Sequence, residues 1–575
     1  MVNKIINKSK NFLLSPQTTI LSAAAIIMIM IIASRVLGLV RQRALAHYFA
    51  PEELSLFFAA FRLPDLIFEV LVFGTFSSAF IPVFTRLVGN DERKAWQLAS
   101  TIVNIGLLVF VFAGFFIFTF SYPLYKIFTP GFSTVDQIEV ARLTRILFLA
   151  QGFFVVSYVV TGVLESSKRF LIPALSPIFY NIGIILGIIF FAEKYGLSAP
   201  VFGVLFGSFL HLLIQIPLAL KLGFKFRFSI KIDDSVKKIG RLAAPRVIEV
   251  AFLQVSKMVE LALASLVSVA SYTFFTFGNT LQLLPVGLFG VSIAKAALPT
   301  LSSQAESGKI FKDTLFKTLH QMVFIMTPFA VVMIVLRIPI VRLVYGTEIF
   351  TWEATLQTGY VLSAFAVGII SQAVSALLAR AFYALHDTRT PVTVSILCIV
   401  LIITLDVIFM KGLNLDVWGL AAAFSVGSIV QAIALYALIA KRVNLKLKSS
   451  VLTPFIKYLF AAFTSGLVMY FILKVFDRSV WVKRLSFIVE IDLLNKLNFE
   501  SFVLDTRFTG NLLALTMVVT ATGLLIYMGI SYLLKTEELF TFISIIKRVF
   551  VKRKIGPIPA KEPEQVAPTT GDTTV

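Results

Sequence analysis

Arginine is among the side chains least suited to hydrocarbon, yet the stretch SRVLGLVRQRAL sets Arg35, Arg41 and Arg43 in or beside a long apolar run. A guanidinium is a planar fork that donates paired hydrogen bonds to two oxygens of a phosphate or carboxylate. A second apolar run carries Arg246, Glu249, Lys257 and Glu260, whose spacings of 3, 8 and 3 put them near one helical face. Such a stripe either lines a polar interior or neutralises itself, Arg246 with Glu249 and Lys257 with Glu260. Glu69 and Asp406 are lone acids in other apolar runs, and Lys295 is a lone base. A cavity bordered by Arg35, Arg41, Arg246 and Lys257 suits an anion. Bond-breaking chemistry finds no support, because the sequence has no Walker A, GxSxG or HExxH pattern. Its four histidines are scattered without ligand spacing, and the single Cys398 can form no internal disulfide. The expected work is translocation, not catalysis, with no cofactor and no metal read from these residues.

The elements that must hold those charges are helices in a membrane. Of 575 residues 58% are hydrophobic and 14% charged, with 57 phenylalanines. Soluble domains carry about 45–50% and 25%. The fold class is therefore an all-α polytopic membrane protein. Runs of about 20 apolar residues fall near 18–49, 54–87, 95–120, 138–164, 170–192, 200–222, 241–268, 271–303, 313–336, 355–384, 391–411, 417–440, 452–474 and 511–534. That makes about 14 transmembrane helices. Pro64, Gly74 and Pro82 in the second run mark a kink or a cavity lining.

Lys+Arg total 52 against 31 Asp+Glu, a net charge of +21. The excess lies in alternate connections, such as Lys221–Arg241 and Lys441–Lys448, and in both terminal segments. By the positive-inside rule both termini are cytoplasmic. The spread over many loops argues against a nucleic-acid partner. An internal repeat at an offset of about 217 pairs Pro82 with Pro299, Pro173 with Pro391, Gly203 with Gly419 and Gln215 with Gln431. Parallel six-helix repeats are a transporter pattern, with the substrate between the halves. The expected organisation is a cytoplasmic segment 1–17, lobes 18–228 and 229–445, and two extra helices in 446–535 with an extracytoplasmic insertion 476–510. Residues 536–575 then form an interfacial helix and a disordered tail. Arginines in a cavity beside a lipid-facing groove suggest an amphiphile with a phosphate head.

Five stretches resemble the MurJ (MviN) lipid II flippases of the MOP exporter superfamily: SRVLGLVRQRAL (34–45), FRLPDLIFEVLVFGTFSSAFIPVF (61–84), ESSKRFLIPALSP (165–177), FGNTLQLLPVGLFGVSIAKAALP (277–299) and ARAFYALHDTRTPV (379–392). The resemblance implies fourteen helices in the bacterial plasma membrane, two lobes and a helix pair forming a tail groove. It implies alternating-access flipping of an undecaprenyl-pyrophosphate-linked precursor amid membrane lipids. Arg35 and Arg41 match the first-helix arginines expected to meet the pyrophosphate. Other charged family positions hold Gln42, Ser55, Phe68, Glu69, Phe73, Thr280 and Leu283 here. Arg246 and Lys257 are candidate replacement cations. Glu260 and Asp406 fall where some members bind a coupling Na+; the other reading is that Glu260 neutralises Lys257. The missing charges leave two further readings: export of another polyprenyl-linked glycan, or a non-transporting scaffold for cell-wall synthesis enzymes.

Overall fold

The computed structural model describes residues 20–70, 76–443, 449–477 and 503–551. The expected segment 1–17, residues 478–502 of the insertion 476–510 and the tail after Val551 lie outside the described residues. Among these residues the chain is helical, with one isolated bridge between Asp477 and Leu504. The first half holds α1 (Ile20–Tyr48), α2 (Pro51–Ala60), α3 (Arg62–Phe68), α4 (Phe76–Asn90), α5 (Glu92–Phe128), α6 (Thr134–Ser166), α7 (Leu171–Tyr195), α8 (Ser198–Leu213) and α9 (Ile216–Lys221). The second holds α10 (Asp234–Val267), α11 (Ser271–Pro285), α12 (Ser292–Ser303), α13 (Gly308–Val335), α14 (Arg337–Tyr345), α15 (Trp352–Ala384), α16 (Arg389–Val407) and α17 (Trp418–Arg442). The pair α18 (Ser449–Phe476) and α19 (Thr509–Leu533) follows, then α20 (Glu537–Val551).

Twelve helices of the described residues are long and apolar enough to cross a membrane. The two further spans expected from sequence, α1 and the 54–87 run, are not among them. Among the described residues the latter holds α-helices of 10, 7 and 15 residues. Pro64 has no N–H to continue the ladder, so the helix breaks at Phe61 and restarts. A break inside a membrane leaves carbonyls that need donors. Tyr125 donates its hydroxyl to the Ala59 carbonyl at 3.0 Å, and Thr144 donates to the Ala60 carbonyl at 3.0 Å. The expected eighth span is interrupted more gently. A π-helical stretch, Val286–Val291, joins α11 to α12, and another, Ile408–Gly412, follows α16 and begins two residues after Asp406.

Apolar burial gives helices little reason to associate in lipid; close van der Waals packing does. Accordingly α7 and α8 meet through Gly183, Gly187, Gly203 and Gly207, where a methyl group would strike the opposite backbone. The long helices start on side-chain caps: Asp91 for α5, Ser133 for α6, Asp233 for α10 and Thr351 for α15.

Helix α10 runs along the first half despite belonging in sequence to the second. Near its start Ile239 packs with Phe80, Phe84 and Val159. The segment before it is tied to α5, where Asn104 donates to the carbonyls of Arg227 and Ser229 at 2.9 and 3.0 Å. At its far end Ser265 accepts from the Gly131 N–H at 3.2 Å. Within the segment 536–575 expected to begin with a helix, α20 is present, and its Leu539 is buried with Phe324 and Tyr458.

Candidate functional site

A cavity of about 660 Å3 opens beside α1. Its walls come from the middle of α1, the end of α6, the start of α7 and the end of α11. Arg35 and Arg41 both line it, six residues apart on one helix. Their surroundings differ. Arg41 donates to Asn181 Oδ1 at 3.0 Å, and Asn181 is itself fixed by donating to the Pro177 carbonyl at 3.0 Å. A neutral amide thus aims the guanidinium and leaves its charge uncancelled. Arg35 is exposed and lies against Gly287 in the π-helical stretch, where an added Cβ would come within 3.6 Å of its Nη2. One carboxylate, Glu165 at the end of α6, shares the cavity.

The end of the cavity toward the α1–α2 turn is closed by polar pairs between the two halves. Gln42, buried, donates to Thr280 Oγ1 at 3.1 Å and accepts from the Tyr345 hydroxyl at 2.8 Å. Beyond them Arg43 donates to the carbonyls of Leu343 and Val344 at 2.8 and 3.2 Å. Thr347 donates to the Ala46 carbonyl at 2.7 Å. Ser55 and Thr273 share a hydroxyl hydrogen bond of 2.9 Å, and Thr273 donates to the Pro51 carbonyl at 2.6 Å. A Cβ on Gly131 would collide with the Ser265 carbonyl. This face is a dense seal.

Lys257 is not in that cavity. Its ammonium pairs with Glu69 at 3.4 Å, and Gln254 also donates to Glu69. Glu260 accepts from Ser256 at 3.4 Å and sits within Coulomb reach of Arg62, Lys257 and Asp406. Arg62 stacks over the Tyr272 ring at 5.4 Å, with Asp65 in reach. Asp406 is 1% exposed, and neither of its oxygens has a hydrogen-bond partner among the described residues. The structure therefore brings Arg35 and Arg41 together and gathers Lys257, Glu260 and Asp406 in a separate cluster. Arg246 lies on α10, but its side chain is outside the described residues, as is Phe73. Lys295 is exposed on α12.

Arg62, Asp65 and Asn181 escaped the reading of the sequence. The first two had a signal: Arg62, Asp65 and Glu69 are spaced 3 and 4 apart, one helical face. Asn181 had none, being a single neutral amide in an apolar helix. No group of three or more His, Cys, Asp or Glu side chains suited to a metal occurs among the described residues.

The arrangement can hold an anionic head between two arginines in a chamber closed at one end. A family model described as "Lipid II flippase MurJ" matches residues 45–490. The chain is 29% identical over 401 residues to a probable lipid II flippase MurJ of Thermotoga maritima, covering 69% of this chain and 80% of that one. It is 28% identical over 400 residues to the lipid II flippase MurJ of Thermosipho africanus, covering 69% and 81%. Among solved structures, a lipid II flippase MurJ in an inward closed conformation superposes with a TM-score of 0.72 at 24% identity, over 91% of this chain and 99% of that one. An inward-facing multidrug resistance MATE transporter of the MOP superfamily superposes with a TM-score of 0.61 at 15% identity, over 72% and 94%.

Proposed function

The chain belongs to the lipid II flippase MurJ family, and from that premise we propose how this member holds and moves its cargo. It is a multi-pass membrane transporter that flips lipid II. The pyrophosphate lies between Arg35 and Arg41, each guanidinium donating to phosphate oxygens. The membrane is the bacterial plasma membrane, with both termini cytoplasmic, as the alternation of basic loops supports. In that orientation the cavity opens to the cytoplasm and the seal at Gln42, Tyr345 and Thr273 faces outward.

Release requires that seal to part while the cytoplasmic ends of the halves close. The undecaprenyl tail stays in lipid along α18 and α19. A pyrophosphate diester carries about two negative charges, and each gains roughly 2.3 kcal/mol per 100 mV on moving outward. Asp406, buried beside Glu260, is where a coupling cation would relieve the repulsion of two acids; Na+ with oxygen ligands suits that pair.

The observation that carries the reading is the Arg41–Asn181 pair, a cavity cation held by a neutral partner. Transport of labelled lipid II in proteoliposomes tests it. Arg35→Ala and Arg41→Ala are each expected to lower transport at least tenfold at normal expression. Full transport by the double variant would overturn the arginine clamp.

A further inference from the structure

A second polar cavity, of about 520 Å3, lies on the sealed face, where the α14–α15 loop meets the start of α19. Its lining includes Arg342, Glu348, Thr351, Trp352, Thr506 and Arg507. The translocation path just described uses none of them. Trp352 is 52% exposed and its indole lines this cavity instead of being buried in the helix bundle. Arg342 sits over that ring at 5.8 Å, and among the described residues no carboxylate pairs with it. Arg507 is aimed by Asp505, which accepts from its Nε and Nη2 at 3.1 and 2.8 Å. Thr506 is fixed by donating to Asp477 at 2.9 Å.

An indole platform ringed by hydroxyls, two guanidiniums and one carboxylate offers donors and acceptors around an apolar plate. That is the chemistry that recognises a sugar ring, whose axial C–H face stacks and whose equatorial hydroxyls need both kinds of partner. We infer that this cavity is a receiving site for the saccharide part of the head group after it crosses. The inference rests on the proposed flippase function, since it deepens the fate of the same cargo.

Short helix α14 joins the two sites. Its Tyr345 holds Gln42 at the end of the inner cavity, its terminal carbonyls hold Arg43, and its Arg342 lines the outer cavity. A head group leaving past Gln42 therefore meets the outer cavity next. The tail, lying along α18 and α19, would remain beside it, because α19 begins at Thr509 in the cavity wall.

The test uses the full chain in nanodiscs and a soluble probe: the N-acetylglucosaminyl-N-acetylmuramyl pentapeptide, which lacks both pyrophosphate and lipid. Binding is read by calorimetry, with inorganic pyrophosphate as competitor. Wild type is expected to bind the probe without competition by pyrophosphate. Trp352→Ala and Arg342→Ala should each weaken binding at least fivefold, Trp352→Phe should restore most of it, and Arg41→Ala should leave it unchanged. Competition by pyrophosphate with a silent Trp352→Ala would show a plain anion site and overturn the inference. So would absence of probe binding while lipid II transport is intact. Probe binding by a chain that does not transport lipid II would uphold the site and strike the proposed function instead.

Discussion

Two groups of charges occupy the membrane part of this protein, and they are built on opposite plans. Beside α1, Arg41 is bonded to a neutral amide and Arg35 lies against glycine backbone, so two positive charges face an open cavity. Beside α10, the two cations of the buried cluster each have an acid within reach: Lys257 with Glu69, Arg62 with Asp65 and Glu260. A cation that already has a counter-ion gains little from an anionic substrate, because binding must first displace the resident acid. One kept charged by neutral donors and acceptors gains the full charge-assisted bond. Sequence position in a span does not separate the two plans; partner identity does.

The comparison breaks most visibly if Arg41 loses its charge. Arg41→Ala removes charge-assisted bonds of about 1.5–3 kcal/mol, so a ten- to hundredfold loss of lipid II transport is expected in proteoliposomes. Arg41→Lys should recover only part of it, since an ammonium lacks the fork.

Next in size is the seal. Gly131→Val places a side chain against the Ser265 carbonyl and should favour the state opened at that face. Labelling of a Ser55→Cys reporter by a membrane-impermeant maleimide should rise several-fold. Unchanged labelling would mean that the Gly131–Ser265 contact does not hold the face shut.

The cluster on α10 should respond in stability and not in cargo affinity. Both members of the Lys257–Glu69 pair keep 35% of their side chains exposed, which discounts the pair to about 1 kcal/mol. Lys257→Met should lower the melting temperature by a few degrees, and adding Glu69→Gln should restore most of it. Lipid II affinity should stay within about twofold of wild type, a change of roughly 0.4 kcal/mol.

The smallest effect lies outside the spans, at Asp387 in the loop before α16. Partial burial raises its pKa, but hydrogen bonds from Thr390 and the nearby Arg442 guanidinium more than offset that, leaving it lowered. A carboxyl lowered on folding contributes stability above its unfolded pKa of about 4 and loses it as pH falls through the lower folded value. Stability from this pair should be flat from neutral pH down to about pH 5. Asp387→Asn should cost only a few tenths of a kcal/mol by denaturation, because Arg442 keeps 44% of its side chain in solvent, which screens the pair.

Much of the architecture was legible because membrane spans announce themselves by length and apolarity. Pro64 foretold the break near Phe61, since a missing N–H has a local consequence. The π-helical turns at Val286–Val291 and Ile408–Gly412 carried no comparable signal, as neighbouring helices impose them. The site was legible in part. Arg35 and Arg41 stand out because charge is rare in a span. The sequence could not assign Lys257, whose counter-ion lies 188 residues away. An i, i+3 partner on the same helix, Glu260, looked equally good, and only packing of α10 against the broken second span decides between them. Asn181 and the outer cavity were invisible, being made of ordinary polar residues that tertiary structure assembles.

The contrast between the two charge plans is tested most directly by lipid II affinity of the purified chain in nanodiscs, measured for Arg41→Ala and Lys257→Met side by side. The expected result is at least tenfold weaker binding for Arg41→Ala with near wild-type binding for Lys257→Met. Near wild-type binding for Arg41→Ala with a loss in Lys257→Met would contradict the account.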